Sequence, residues 1–403
     1  MNRTGPVASD RLLTVPFAAL FAAALAFFAA GGIVLPAASR FANGPLGADA
    51  VGVGVGLGAF SIAALVMRPV VGWASDRFGR RPLLLGGGAI TVVALAAHLV
   101  ADTLPAFIAV RSVLGIGEAF FFVAAVAAIS DLAPPARRGE AINLGSLSVY
   151  LGLAAGPFIG ESVLAAAGFD AVWLTAGVIA GLATALSFLV PETAPSVLAA
   201  AAAEGEANGP RPRGRIFHPA GVLPGFLILT GAWGMAGFFA FVPLHASRVG
   251  LDGAGIPLAM YALIVIALRI AFAKLPDQVG AARLSGAALL VSAVGLALIG
   301  LLPGAVGLFV GTAVFAVGIA FMFPALIAVA VGRVDEAERG SVVGTSTAFL
   351  DLSFGLAPAT LGMVADASGF PATFVVSAAV AMVGVGVIAI RRASLMVREQ
   401  TSD

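Results

Sequence analysis

The 403-residue chain contains no cysteine. That absence excludes disulfides, thiolate metal sites and a thiol nucleophile, and leaves the redox compartment unmarked. Charge is nearly as scarce. Asp, Glu, Lys and Arg make up 11% of the residues, against about 25% in a soluble domain. A water-soluble chain of this length would lack the polar side chains to cover its surface. The net charge of +1 offers neither a polybasic nor an acidic face, so nucleic acid is excluded as a partner. No phosphate-binding G-x-x-x-x-G-K-[ST] loop is present, which excludes direct ATP drive. No metal-ligand spacing and no nucleophile elbow occur either, so no enzyme, metal or cofactor is expected. What remains is apolar: 60% of the residues are hydrophobic and a further 51 are glycine. Only a polytopic, all-α membrane protein fits such a chain.

A helix needs about 20 apolar residues to cross the bilayer core. Twelve such spans are predicted, near 12–37, 50–73, 82–101, 105–130, 141–166, 171–190, 220–247, 253–275, 284–302, 305–331, 341–364 and 371–391. The longest polar stretch, 191–219, falls at the midpoint and reads as a cytoplasmic linker, part flexible and part stiffened by proline. It divides the chain into an N-terminal six-helix half (1–190) and a C-terminal half with a short cytoplasmic tail (220–403). With the termini and even-numbered loops assigned to the cytoplasm, that side carries 17 of the 22 basic residues, while the opposite side carries only Arg40 and Arg248. This bias predicts a multi-pass protein of the inner (plasma) membrane with both termini cytoplasmic.

The halves align without a gap at an offset of 201 residues. Arg68 then falls on Arg269, Asp76 on Asp277, Gly79 on Gly280, Gly117 on Gly318, Arg138-Gly139 on Arg339-Gly340, and Pro157 on Pro358. Matched charges carry weight in a chain with so few. Parallel six-helix repeats with a site at their interface are a transporter architecture.

Between spans 2 and 3 the chain reads Gly72-Trp-Ala-Ser-Asp76-Arg77-Phe-Gly79-Arg80-Arg81, preceded by Arg68-Pro69. This resembles, without departure, the G-x-x-x-D-R-x-G-R-R motif of the major facilitator superfamily, and Asp277 stands in a degenerate echo of it. The resemblance implies a gating loop made of Arg68, Gly72, Asp76, Arg77, Gly79, Arg80 and Arg81, with Asp277 in the second half. Asp76 could face the N-terminus of a helix near Gly340–Val342, whose partial positive charge attracts a carboxylate. In span 4, Arg111-Ser-Val-Leu-Gly115-Ile-Gly117-Glu118 resembles the family's R-x-x-x-G-x-G motif, associated with proton coupling. Seven residues make nearly two turns, so Arg111 and Glu118 share a helix face. In span 5, Gly152, Gly156, Pro157 and Gly160 resemble the G-x-x-x-G-P-x-x-G motif of the superfamily's antiporters. Glu161 and Asn143 stand where that motif's fuller form has glycine.

Asp351 lies about ten residues into span 11, near the midplane. Ionisable groups inside a membrane usually face a cavity and mark function. A carboxyl in a low-dielectric surround holds its proton more firmly than in water, as a proton carrier requires. Arg111, Glu118 and Asp351 are therefore the candidates for proton coupling and substrate contact. Which acid takes the proton is left open. Phe121, Tyr150, Trp233 and Phe238 could line an apolar pocket, while His218 and His245 sit at span ends and are expected to face solvent. The resemblance, closest to the drug and sugar (arabinose-type) efflux branch, implies a monomeric antiporter that exports a small organic molecule against protons by alternating access. An importer of a small neutral solute with the same fold is the alternative. The proton gradient is its expected energy source.

Overall fold

The computed structural model describes residues 12–134, 137–194, 218–272, 275–332, 334 and 338–396. Every element is helical, and no strand occurs among the described residues. The first helices are α1 (Val15–Asn43), α2 (Ala50–Phe78), α3 (Arg80–Ala97) and α4 (Leu104–Leu132). One helical run, Arg138–Ser187, is divided at Gly168 (φ 81°) into α5 (138–167) and α6 (169–187). Next come α7 (Val222–Arg248) and α8 (Gly255–Ala271), then the short turn Leu275–Val279. The last four are α9 (Ala281–Leu301), α10 (Gly304–Val331), α11 (Arg339–Ser368) and α12 (Phe370–Met396).

Ten of these elements, with Arg138–Ser187 counted whole, are long and apolar enough to cross a membrane, and α8 is a shorter apolar helix of 17 residues. The twelve predicted spans thus correspond to twelve helices. Their ends differ because helices continue past the apolar stretch until a cap stops them. α1 runs on through Arg40 to Asn43, beyond the predicted end at 37. α2 starts where the Asp49 carboxylate accepts the Gly52 N–H at 2.7 Å, a side-chain N-cap. Most of the predicted linker, 195–217, lies outside the described residues.

The repeat is visible in three dimensions. α1 packs on α5, α2 on α4, and α3 on α4 and α6; six helices later, α7 packs on α11, α8 on α10, and α9 on α10 and α12. Single residues agree. A Cβ on Gly117 would meet Thr91 Oγ1 and the Gly87 carbonyl; one on Gly318 would meet Ser292 Oγ and the Ala288 carbonyl. All three positions are related by the same 201-residue offset. Gly79 and Gly280 are likewise paired, each preceding a helix with positive φ (102° and 86°), where a side chain would be strained.

Two junctions join the first six helices to the last six, α2 against α11 and α5 against α8, with α1 beside α7 between them. Small residues permit the approach, as in membrane bundles generally. A Cβ on Gly54 would run into the Pro358 carbonyl, one on Gly58 into the Gly355 carbonyl, and one on Gly362 into the Ala50 carbonyl. The motif of Gly152, Gly156 and Gly160 faces α1 instead, against Leu25, Gly32 and Ile33.

Candidate functional site

A cavity of about 220 Å³ lies between the two sets of helices. The middle turns of α1, α2, α7 and α11 supply Phe27, Phe28, Phe60, Ser61, Phe239, Asp351, Phe354 and Pro358 to its wall. α4 supplies Arg111, Leu114 and Glu118. The three ionisable residues singled out in the sequence, 111, 118 and 351, therefore face one space.

Arg68 completes the charge set. Its Nη2 donates to Asp351 Oδ1 at 2.9 Å, joining α2 to α11. Its guanidinium also lies over the Phe122 ring, 5.2 Å from the centroid. Glu118 is near enough for its charge to interact with both Arg68 and Asp351. Asp351 is the carboxylate that bonds this guanidinium. Arg111 stands apart: it is 5% exposed, lies 5.0 Å from the Phe60 centroid, and its Nε has no hydrogen-bond partner. Arg68 was grouped with the gating loop on sequence; its ion pair is two turns deeper, because the helix carries residue 68 toward the cavity while residues 77–81 emerge at the helix end.

The loop residues are tied among the first six helices. Glu192, just past α6, accepts the backbone N–H groups of Arg80 (2.8 Å) and Arg81 (3.2 Å) at the start of α3. Arg80 Nε donates to Asp131 of α4 at 3.2 Å, and its Nη1 to the Ser75 carbonyl at 2.7 Å. Arg77 is exposed and lies over the rings of Trp73 and Phe78. Gly72 has open space around it. The side chains of Asp76, Asp277 and Tyr150 lie outside what the structure describes. Sequence reading missed Asp131 and Glu192; both lie near helix ends on the side assigned to Arg80, which is the only hint it held.

Phe121 is fully buried and stacks on Phe27 at 3.9 Å, while Phe238 packs against Tyr261 and Phe315; both belong to helix interfaces rather than the cavity wall. Trp233 packs against an apolar core shared by both sets of helices and is also absent from the wall. The aromatic wall is instead Phe27, Phe28, Phe60, Phe239 and Phe354. His245, expected at the surface, is 5% exposed and lies against Phe374, because α7 continues past it to Arg248. His218, also expected to face solvent, is half-buried and 3.5 Å from Glu338.

A membrane-embedded helical bundle that repeats a six-helix packing pattern around a polar-lined central cavity is the architecture of a secondary transporter. The known proteins most informative for comparison agree. The family profile "Major Facilitator Superfamily" matches residues 19–306 and, in a second overlapping match, 253–400. The chain belongs to the major facilitator superfamily: it is a multi-pass membrane transporter of a small molecule, not an enzyme. An uncharacterized MFS-type transporter of Salmonella typhimurium is 29% identical over 346 residues, covering 83% of this chain and 86% of that protein. One from Burkholderia mallei is 28% identical over 366 residues, covering 88% and 86%. Among solved structures, the human organic anion transporter MFSD10 (TETRAN) superposes with a TM-score of 0.69 at 21% identity, covering 95% of this chain and 100% of that one. A bacterial homologue of the human lysosomal transporter Spinster, inward-facing and unoccupied, gives 0.71 at 17% identity, with 94% and 95% covered. These structural likenesses establish the fold.

Proposed function

We propose that this transporter is a proton-coupled antiporter of the drug and sugar (arabinose-type) efflux branch, exporting a small organic molecule by alternating access. The observation that carries the reading is the 2.9 Å ion pair of Arg68 on α2 with Asp351 on α11, with Glu118 of α4 on the same cavity wall. When Asp351 is ionised, the ion pair ties the two six-helix halves (1–190 and 220–403) across the cavity. When Asp351 takes a proton, it no longer holds Arg68, and Glu118 remains as a partner within the first half. One proton thereby moves a salt bridge from between the halves to inside one of them. A two-state carrier needs this kind of link between proton occupancy and the relation of its halves.

In this reading the termini, the 191–219 linker and the Gly72–Arg81 loop are cytoplasmic, in the inner (plasma) membrane. The α2–α11 and α5–α8 contacts near Asp49 and Gly253 then form a closed outer gate. Asp76 serves the opposite gate, its carboxylate attracted to the N-terminus of α11 near Gly340–Val342 when that side closes. Export rather than import rests on the resemblance of Gly152, Gly156, Pro157 and Gly160 to the antiporter motif. The protein works as a monomer with no cofactor beyond the proton gradient.

Reconstituted vesicles with an imposed pH gradient test the coupling. Asp351→Asn and Glu118→Gln should each reduce gradient-driven transport at least tenfold while leaving downhill exchange in place. If both variants retain full gradient-driven transport, the coupling assignment is wrong. Uptake that runs in everted vesicles and not in right-side-out ones supports export; the reverse pattern overturns it.

A further inference from the structure

We propose that the cavity is a binding site for a monoanionic ligand with an aromatic or cyclic apolar body, its carboxylate held by Arg111. The inference deepens the transport reading above and rests on it for the use made of the site. It starts from a cation without an ion-pair partner. Arg111 lines the cavity, is 5% exposed and leaves its Nε without a hydrogen-bond partner. Among the described residues no carboxylate lies within ion-pair distance of its guanidinium. Of the two acids on the cavity wall, Asp351 is held by Arg68 through a 2.9 Å hydrogen bond, and Glu118 lies two turns along α4 from Arg111. His98 lies near enough to feel the Arg111 charge, but an imidazole is neutral or positive and cannot balance a cation.

A buried cation without a partner is unfavourable, and removing its counter-charge from such a site is strongly destabilising. A bound carboxylate supplies that partner with the planar, bidentate geometry that guanidinium offers. The remaining wall selects the rest of the ligand. Phe60 already lies beneath Arg111 at 5.0 Å, and Phe239 and Phe354 present rings from the last six helices. Aromatic and aliphatic surface of this kind takes an apolar ring, and a closing cavity would bury it. A second negative charge would find Arg68 already engaged. A cationic ligand seated over Phe60 would meet Arg111 at close range. The choice has an energetic consequence. If a monoanion leaves in exchange for n entering protons, n + 1 positive charges move inward per cycle, so an inside-negative membrane potential drives export together with the pH gradient.

Binding to the purified, full-length protein in lipid nanodiscs, without any gradient, tests the ligand class. The probes are 2-naphthoate, its neutral isostere 2-naphthamide, and 2-naphthylmethylammonium, each titrated by calorimetry. Naphthoate should bind at least tenfold more tightly than the amide, and the ammonium compound most weakly. Arg111→Gln should erase the preference for naphthoate while keeping the amide affinity, which also reports that the variant is folded; Arg111→Lys should keep part of it. The proposal is overturned if the amide or the ammonium compound binds as well as naphthoate, if none of the three binds the unmodified protein, or if Arg111→Gln retains the tenfold preference. Vesicle flux separates this from the coupling reading. Naphthoate that binds but is not moved by an imposed pH gradient sinks proton coupling alone. Gradient-driven transport of neutral compounds with no preference for naphthoate sinks the ligand class alone.

Discussion

The α2–α11 and α5–α8 junctions occupy equivalent places in the repeat, yet they are built differently. At α2–α11 the two backbones touch: Gly54, Gly58 and Gly362 leave no room for a Cβ against Pro358, Gly355 and Ala50. Its directional bonds lie at both ends of the contact: Arg68 donates to Asp351 beside the cavity, and at the tip Asp366 accepts the N–H groups of Ala50 (2.9 Å) and Val51 (3.1 Å). Together with Asp49, which takes the Gly52 N–H, this satisfies the first three donors of α2. At α5–α8 a side chain fills the gap. Glu161 packs on Gly253 and Gly255 of the α7–α8 connection and α8, and its Oε2 accepts from Arg40 Nη1 at 2.8 Å. The Ala254 N–H, at the N-cap of α8, is also near enough to interact with that carboxylate, although Oε1 itself lacks a well-formed hydrogen bond. Each junction therefore aims an acid from one set of helices at the start of a helix in the other. The first brings two backbones into contact and carries the Arg68–Asp351 ion pair beside the cavity; the second is bridged by the Glu161 side chain, whose partner Arg40 belongs to α1 of the same set of helices.

The sharpest way to break the comparison is Gly54→Leu. The new side chain meets the Pro358 carbonyl, so α11 must withdraw. Overpacking of this kind costs roughly 3 kcal/mol, or about a hundredfold against the closed junction. Spin labels on the α1–α2 loop and the α11–α12 turn should report a wider separation, and transport should fail. An unchanged distance distribution would show that α2–α11 contact does not set closure. Asp366→Ala should act more weakly, by about 1–2 kcal/mol, since it strands two backbone donors at the start of α2. The same label pair should show a mixed population, with Asp366→Asn in between. Glu161→Gln should have the smallest effect, about 0.5–1 kcal/mol, because it removes one carboxylate charge from the start of α8 and leaves the packing in place. Labels across α5–α8 should show the difference from the unmodified protein shrinking as salt rises and screens the Glu161 charge at the start of α8. A salt-independent difference would assign that junction to packing instead.

Much of the architecture was legible in the sequence. Gly79 and Gly280, or Gly117 and Gly318, could be paired by counting residues, and the structure gives each pair the same local task. Arg111, Glu118 and Asp351 stood out because charges are rare inside apolar spans, and all three reach the cavity wall. Arg68 was also noticed but was read with its neighbours in the loop motif. Asp366 and Asp131 drew no attention, since acids near helix ends are common. Phe121 and Phe238 could not be told from Phe60 and Phe239, because in lipid both faces of a helix are apolar and periodicity does not mark which face meets a cavity.

The sequence by itself determined that this chain spans a membrane as a repeated set of helices. That outcome rests on local physics: a bilayer demands apolar stretches whose backbone polar groups bond within the same segment. It also determined which residues were too costly to bury without purpose. The tertiary structure decided which of those residues meet. The Arg68–Asp351 bond joins positions 283 residues apart, and whether Arg111 is left without an acid depends on helix rotations of a fraction of a turn. Such pairings are set by how glycine-lined helices cross, and no single helix carries that information.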